Sequence, residues 1–205
     1  YPGLVSITFR KHRPSEIIAL ASSAGLRSIE WGGDVHVPPG DLAVAREVGR
    51  LTTAAGLSVS AYGSYYRGPV SEAEGMSFAS VLETARALGT SVIRVWPGKE
   101  GTEQARANGT WDSVVEQLRR CGDLAREADM TVGLEFHTKT LTDSQAAAED
   151  LMAALDHPAV KLFWQPINGA SLEVCKASLQ ALLPHVIALH VFHWTFDEAG
   201  QKTIH

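Results

Sequence analysis

Short apolar stretches alternate with longer amphipathic stretches along the whole chain. Seven of the short stretches are rich in β-branched and aromatic residues and apolar throughout, which is typical of strands covered on both faces. They span residues 4–9, 28–31, 59–62, 92–96, 131–136, 160–164 and 186–191. The stretches between them have a helical period, which is clearest in 111–128. The pattern predicts a series of strand–helix units.

Capping residues and glycines mark where the predicted helices begin and end. Pro14 suits the first turn of a helix, and Gly25 suits the left-handed position after its last turn. Asp41 caps a second helix that ends at Gly56. Further helices are predicted at 71–88, 142–155 and 170–183, whereas 98–109 lacks the period and is predicted as a polar loop.

The units repeat about every 30 residues, which is the size of a strand–helix unit with short connections. The chain has no Gly-x-Gly-x-x-Gly after a strand and no Gly-Lys-Ser/Thr phosphate loop, so a nucleotide-binding open sheet lacks its signature. We therefore predict an α/β protein with a (β/α)8 TIM barrel as a single domain over 1–205, of which about seven units are present. Because seven strands would leave open edges, we expect roughly 50–70 further residues that supply the eighth strand.

Composition narrows the classes of partner. The formal net charge is −5, which disfavours a general electrostatic grip on nucleic acid or on an anionic membrane. No apolar run approaches the roughly 20 residues of a transmembrane helix, and no basic-then-apolar leader opens the sequence. We expect a cytoplasmic protein with a small-molecule partner. A homodimer is compatible with the sequence, which does not fix the oligomeric state.

Parallel α/β sheets gather polar side chains at the carboxyl ends of their strands, and this chain has candidates there. Glu135 is the strongest, because a carboxylate between Leu134 and Phe136 is costly to bury without a cation or hydrogen-bond donors. A catalytic role, a metal-ligand role and an ion pair with an arginine all remain open for it. His137 lies two residues on, so it points to the same side and could bind substrate, ligate a metal or cap the loop.

Two earlier strands also end in polar or aromatic residues. Glu30 either binds substrate hydroxyls or pairs with Arg94, two strands away. Arg94 and Trp96 alternate with apolar residues, so both are expected to face inward. His36 follows the second strand and either reaches the mouth of the barrel or is exposed in its loop.

Aromatic residues near the third and fourth strands could form walls for the C–H faces of a sugar ring. They are Tyr62, Tyr65, Tyr66 and Trp96, and ordinary packing explains each of them equally well. The basic run 10–13 after the first strand could hold a phosphate or a carboxylate, or simply be solvated.

The last two predicted strands end in candidate metal ligands. His190 lies in an apolar stretch, and neutral imidazole suits divalent transition ions, although a satisfied core histidine is the alternative. Gln165 ends the sixth strand, and its amide oxygen is a weaker ligand than a carboxylate. His193 is expected at a loop or on the rim.

Several short motifs, in this order and spacing, resemble one family. They are IEW at 29–31, GLEFH at 133–137, TLT at 140–142, FWQP at 163–166 and LHVFHW at 189–194. The chain resembles the sugar phosphate isomerases and epimerases of the xylose isomerase-like TIM-barrel superfamily, over essentially its whole length. It is most similar to the branch with the WQP and HVFHW motifs.

The resemblance implies a divalent ion, Mn²⁺, Mg²⁺, Co²⁺ or Zn²⁺, held by Glu, Asp, His and Glu from the last four strands. Glu135 and His190 match two of these ligands, Gln165 stands at the Asp position, and the final Glu has no counterpart in the chain. The implied reaction is metal-assisted proton transfer next to a carbonyl, with Glu135 as base. His137, Glu30 and Arg94 would hold hydroxyls or a terminal anionic group.

The expected function is therefore an aldose–ketose isomerase or epimerase acting on a sugar or sugar phosphate. A barrel that binds sugars without catalysis is the alternative favoured by Gln165. A metal-dependent hydrolase or abasic-site endonuclease is a further alternative, but it calls for a richer metal cluster and a basic surface than this sequence shows.

Overall fold

The computed structural model describes residues 1–167, 169–192, 194–198 and 200–204. Within them, seven parallel strands form one sheet and pair in chain order. They are β1 (Gly3–Val5), β2 (Ser28–Gly32), β3 (Ser58–Gly63), β4 (Val92–Val95), β5 (Thr131–Glu135), β6 (Val160–Trp164) and β7 (Val186–Leu189). In the described residues no pairing joins β7 back to β1. The expected eighth parallel strand is not among them and stays a prediction.

Helices connect the strands, as consecutive parallel strands require. They are α1 (Pro14–Ser23), α2 (Leu42–Ala54), α3 (Val70–Ala73), α4 (Phe78–Leu88), α5 (Thr102–Ala107), α6 (Trp111–Glu127), α7 (Gln145–Leu155) and α8 (Leu172–Leu182). Two short 3₁₀ turns lie at Ser6–Phe9 and Leu183–His185. The predicted fold class is confirmed, because seven parallel strands curl into part of a barrel with helices between them.

Alternation along each strand decides which side chains face the interior of the curled sheet. In β2 every residue is buried. Trp31 packs toward α2, where its Nε1 donates a hydrogen bond of 3.1 Å to Thr52 Oγ1. Its neighbour Glu30 points the other way, toward the sheet interior, where it meets β4. The same alternation places Arg94 inward, between the buried residues Ile93 and Val95.

The first strand is shorter than predicted. Residues 4–9 have strong β propensity, yet β1 ends at Val5 and a 3₁₀ turn follows. Ser6 explains the change, because its Oγ accepts a hydrogen bond of 2.9 Å from the backbone N–H of Gly32. A side chain thus takes the place of a further backbone contact with β2, and the chain turns away.

Two other predicted boundaries also differ. The helix predicted at 71–88 is broken into α3 and α4, because Gly75 takes a left-handed φ of 91° and Ser77 caps the second part. The loop predicted at 98–109 contains α5. Ala105 of this short helix is fully buried, and Asp143 accepts a hydrogen bond of 3.1 Å from the backbone of Thr102.

After β7 the described chain forms an antiparallel hairpin of β8 (Trp194–Phe196) and β9 (Lys202–Ile204), which the sequence pattern did not predict. The strand predicted at 186–191 accordingly stops two residues early, at Leu189. None of the described helices combines the length and the apolar character needed to cross a membrane.

Candidate active site at the carboxyl ends of the strands

Three charged side chains from three strands meet inside the curled sheet. Arg94 of β4 donates from Nε to Glu30 Oε1 of β2 over 2.6 Å, and from Nη1 to Glu135 Oε2 of β5. The side chains are 2%, 5% and 9% exposed, in the order Arg94, Glu30 and Glu135. Burying such charges is costly unless they are paired, and here each carboxylate has the same guanidinium as its partner. Glu30 thus adopts the arginine pairing, one of its two expected roles.

His190 joins this cluster from the end of β7. Its Nε2 lies 2.7 Å from Glu30 Oε2, so both oxygens of Glu30 have a partner. Burial raises the pKa of Glu30, but the charges of Arg94 and His190 outweigh burial and lower that pKa to about 2. Burial likewise lowers the pKa of Arg94, and the two glutamates raise it further than burial lowers it. Glu30 and Arg94 are therefore both charged at neutral pH.

Gly63, the last residue of β3, makes the cluster sterically feasible. It is the register partner of Arg94, and the arginine must pass it to reach Glu30 on the far side of β3. A Cβ atom at Gly63 would lie 2.6 Å from Arg94 Nη2 and 2.9 Å from Glu30 Oε1. Any side chain at this position would therefore displace the ion pair.

Two cavities open above the cluster. The larger, of about 550 Å³, is lined by Arg94, Glu135, His190 and residues of β1 and its following turn. The smaller, of about 320 Å³, lies on the β5–β6 side and includes Asp143. Glu135, His137, Gln165 and Phe192 line both cavities. Glu135 is thus the buried carboxylate that faces the space where a small molecule would fit.

His137 and Trp96 lie at the rim of the larger cavity. Their rings stack with centroids 4.5 Å apart, and the guanidinium of Arg67 lies 4.0 Å from the centre of the Trp96 ring. His137 and Arg67 therefore already contact the Trp96 ring, which was expected to form a wall for a sugar. Trp96 Nε1 is buried without a hydrogen-bond partner among the described residues, so it remains available as a donor.

Tyr65 lies beside Trp96 at the rim, with ring centroids 6.1 Å apart. Its hydroxyl accepts a hydrogen bond of 3.2 Å from Arg10, which also pairs with Asp34. The Arg94 guanidinium lies 5.4 Å from the centre of the Tyr65 ring. Tyr65 has a left-handed φ of 59°, a conformation that is uncommon for a bulky residue and is found most often at functional sites.

Two residues predicted to reach the site lie elsewhere. Tyr62 is fully buried on the outer side of β3, where its hydroxyl donates to the carbonyl of Val37 over 2.9 Å. His36 is also buried, with Nδ1 2.9 Å from Ser6 Oγ, and burial lowers its pKa. Neither lines the two cavities above the cluster. Strand alternation explains the error for Tyr62, since its neighbour Gly63 takes the inward position.

The described residues do not fit a divalent metal ion in their present arrangement. No three His, Cys, Asp or Glu side chains among them form a metal-holding group. Of the expected ligands, Glu135 is paired with Arg94 and His190 with Glu30, while Gln165 lies half-buried at the cavity wall. An ion on Glu135 would also lie close to the guanidinium and be repelled by it. His193 lies outside the described residues.

Two contributors to the site were missed at the level of sequence. Gly63 lies just after the strand predicted at 59–62 and was given no role, although its position next to Arg94 follows from the strand register. Arg67 was not singled out, although it directly follows Tyr65 and Tyr66 in the sequence and contacts Trp96. Only the register between β3 and β4 identifies Gly63, because glycine has no side chain whose chemistry would indicate a role.

Solved structures with this fold are numerous. The probable 3-DHS dehydratase AsbF of Bacillus anthracis, involved in petrobactin synthesis, is 20% identical, with a TM-score of 0.74 over 94% of this chain and 73% of that one. A xylose isomerase-like TIM barrel protein of Mycobacterium smegmatis, solved in complex with magnesium, is 15% identical, with a TM-score of 0.72 over 98% and 78%. At these identities the likeness shows the fold alone.

Sequence comparison shows the family. Among curated proteins, none matches the chain significantly. A family model described as xylose isomerase-like TIM barrel matches residues 18–195. This range includes every strand from β2 to β7 and all the residues of the buried cluster. The match confirms the resemblance seen in the sequence motifs, and the chain belongs to the xylose isomerase-like TIM barrel family.

Proposed function

We propose that this protein is an isomerase or epimerase that moves a proton next to the carbonyl group of a sugar or sugar phosphate, with Glu135 as the base. The main support is the position of Glu135, which is buried at the end of β5 and lines both cavities. A carboxylate within hydrogen-bond reach of a substrate can take a proton and return it to the neighbouring carbon or the opposite face.

Arg94 supplies the positive charge that such a reaction needs. Removing a proton next to a carbonyl leaves an enediolate, whose negative charge must be stabilised by fixed donors or cations. Arg94 lies in the same cavity wall as Glu135 and is held in place by Glu30. Its guanidinium is therefore positioned to bind an oxygen of the substrate while Glu135 handles the proton.

The remaining wall of the larger cavity suits a small polyhydroxylated molecule. Tyr65 provides aromatic surface, and Trp96 Nε1, His137 and Gln165 provide polar groups for hydroxyls. A volume of about 550 Å³ is within the usual range for small-molecule sites.

A divalent ion, expected from the family resemblance, stays a prediction. Glu135 Oε2 is paired with Arg94 and His190 Nε2 with Glu30, so no step of the proposed reaction is assigned to a metal. A cytoplasmic location and a homodimer also stay predictions.

A barrel that binds sugars without catalysis is the second candidate. The observation that favours it is the pairing of Glu135 with Arg94, which leaves the carboxylate partly occupied. In that case the cavity would bind a sugar, but the proton next to its carbonyl would not exchange.

Hydrogen exchange in deuterated water separates the two candidates. Aldoses, ketoses and their phosphates would be incubated with the protein, with Mg²⁺, Mn²⁺, Co²⁺, Zn²⁺ or a chelator, and deuterium incorporation followed by NMR. We expect exchange next to the carbonyl of at least one compound, and a loss of about 100-fold or more in Glu135→Gln. Glu149→Gln, an exposed position on α7, serves as the control and should leave the rate unchanged. Sugar binding with no exchange under any of these conditions would support the binding barrel instead.

A further inference from the structure

Arg94 has more hydrogen-bond donors than the protein uses. A guanidinium has five N–H groups. The Nε–H donates to Glu30 and one Nη1–H donates to Glu135. Among the described residues no group accepts a hydrogen bond from Nη2, although the side chain is only 2% exposed. A buried charged group with free donors is costly, so this nitrogen is suited to an acceptor from outside the protein.

The free nitrogen has room for such an acceptor. Arg94 lines the cavity of about 550 Å³. Gly63 lets Nη2 lie close to β3, since a Cβ there would approach it to 2.6 Å. The cavity therefore gives a small molecule access to a guanidinium that is fixed on its other sides by Glu30 and Glu135.

We propose that the free Nη2 edge of Arg94 binds a carboxylate of the substrate, so that the site takes a sugar acid or another hydroxy- or keto-carboxylic acid. A carboxylate presents two oxygens in one plane, which matches the planar fork of a guanidinium. The inference deepens the proposed function by naming the substrate class, but the binding itself does not require catalysis.

The local charge favours a carboxylate over a phosphate. Arg94 already shares its single positive charge between Glu30 and Glu135. A monoanion adds one negative charge to this group, whereas a phosphate adds close to two and meets correspondingly stronger repulsion. Arg10 is paired with Asp34 at the rim, so it adds little compensation.

The arrangement also couples binding to the chemistry. In the free protein Arg94 neutralises Glu135 through the contact with Nη1. A substrate carboxylate on the same guanidinium weakens that ion pair, because one positive charge then serves three negative groups. Arg94 therefore holds Glu135 less tightly only when a substrate is present, which links substrate binding to release of the base.

Binding of minimal probes tests the proposal without relying on activity. Glycolate, inorganic phosphate and ethylene glycol, the uncharged match of glycolate, would be titrated into the whole chain and followed by NMR or calorimetry. We expect glycolate to bind at least about tenfold more tightly than ethylene glycol, and more tightly than phosphate. Arg94→Gln should remove this preference, and Arg50→Gln, on the outer surface of α2, should leave it unchanged.

Gly63→Ala keeps every charge but displaces the guanidinium of Arg94 from its place beside β3, so it provides a second variant should Arg94→Gln fold poorly. Gly63 has no left-handed φ, so alanine suits its backbone. We expect glycolate affinity to fall in this variant too. Loss of binding in Arg67→Gln with retention in Arg94→Gln would place the anion at the rim and overturn the proposal. Tighter binding of phosphate, or no preference for glycolate, would also overturn it.

The binding and exchange experiments together distinguish failure of the carboxylate site from failure of the proposed function. Preferential glycolate binding that depends on Arg94, with no proton exchange on any sugar or sugar acid, would leave the carboxylate site standing and remove the isomerase. Proton exchange on neutral sugars alone, without preference for glycolate, would support the isomerase and rule out the carboxylate site.

Discussion

The burial and pairing of side chains near the strand ends differ sharply between two regions of the molecule. In the paired region, β2 to β5, Glu30, Arg94 and Glu135 are buried and bound to one another. In the open region, β7 and the hairpin that follows, Leu189 is 50% and Val191 78% exposed. The strand ends of the paired region are buried and joined by ion pairs, whereas the open region exposes large apolar side chains to solvent.

The difference indicates which candidate residues are held in place by contacts within the described part of the chain. Arg94 and Glu30 are held from several sides, so their conformations follow from their neighbours. Gln165 has no hydrogen bond from its side chain among the described residues, although it lines both cavities. His190 links the regions through Glu30. Its expected role as a metal ligand and its observed role as a partner of Glu30 compete for the same Nε2 atom.

Removing Arg94 should have the largest effect on stability. Arg94→Met would leave Glu30 and Glu135 buried without their cation, and we expect the free energy of unfolding to fall by about 3–5 kcal/mol. Urea denaturation measures it. Arg50→Met breaks an exposed pair with Glu47 and should cost less than about 1 kcal/mol. Equal losses in the two variants would mean that the paired region is no more tightly organised than the surface.

Truncating one leucine in each region tests the packing difference directly. Leu134 in β5 is fully buried, and Leu134→Ala should cost about 2–5 kcal/mol through lost contacts and a cavity. Leu189 in β7 is half exposed, and Leu189→Ala should cost less than about 1 kcal/mol. A comparable loss at Leu189 would show that the surface of β7 is covered in solution, which the same denaturation experiment would reveal.

Much of this fold follows from the sequence because strand and helix patterns are local. The apolar runs and the glycines after helices predicted all seven parallel strands, and the family match confirms the barrel type. The errors arose where a single side chain outweighed propensity. Ser6 ended β1 early by accepting a hydrogen bond from β2, and Asp143 stabilised α5 from a distant part of the chain.

The site was harder to predict because its contacts are long-range. Burial cost alone pointed to Glu135, and alternation alone placed Arg94 inward. That Arg94 bonds to Glu30 and Glu135 at once depends on Gly63, whose role is visible only in the strand register. Tyr62 was misplaced because the sequence does not show which of two neighbouring residues faces inward.

Acid should weaken the paired region through Glu30. Its pKa in the folded protein, about 2, lies below the ordinary value of 4.5, so the contribution to stability is complete above pH 4.5. It is lost as the pH falls from about 4.5 toward 2, and its full size is up to about 3 kcal/mol. Unfolding in urea at successive pH values measures the slope. Glu30→Gln should flatten that slope, and an unchanged slope would show that other carboxylates cause the loss.

The smallest expected effect concerns the competition between Arg94 and a metal ion. Arg94→Gln removes the cation that would repel an ion from Glu135, so Glu30, Glu135 and His190 would attract a divalent ion more strongly. We expect Mn²⁺ or Zn²⁺ to bind this variant at least about tenfold more tightly than the unaltered chain, a gain of about 1.4 kcal/mol measured by calorimetry. Arg50→Gln should show no gain. If the unaltered chain binds the ion as tightly as Arg94→Gln, the guanidinium does not compete with a metal, and the ligands lie in the open region instead.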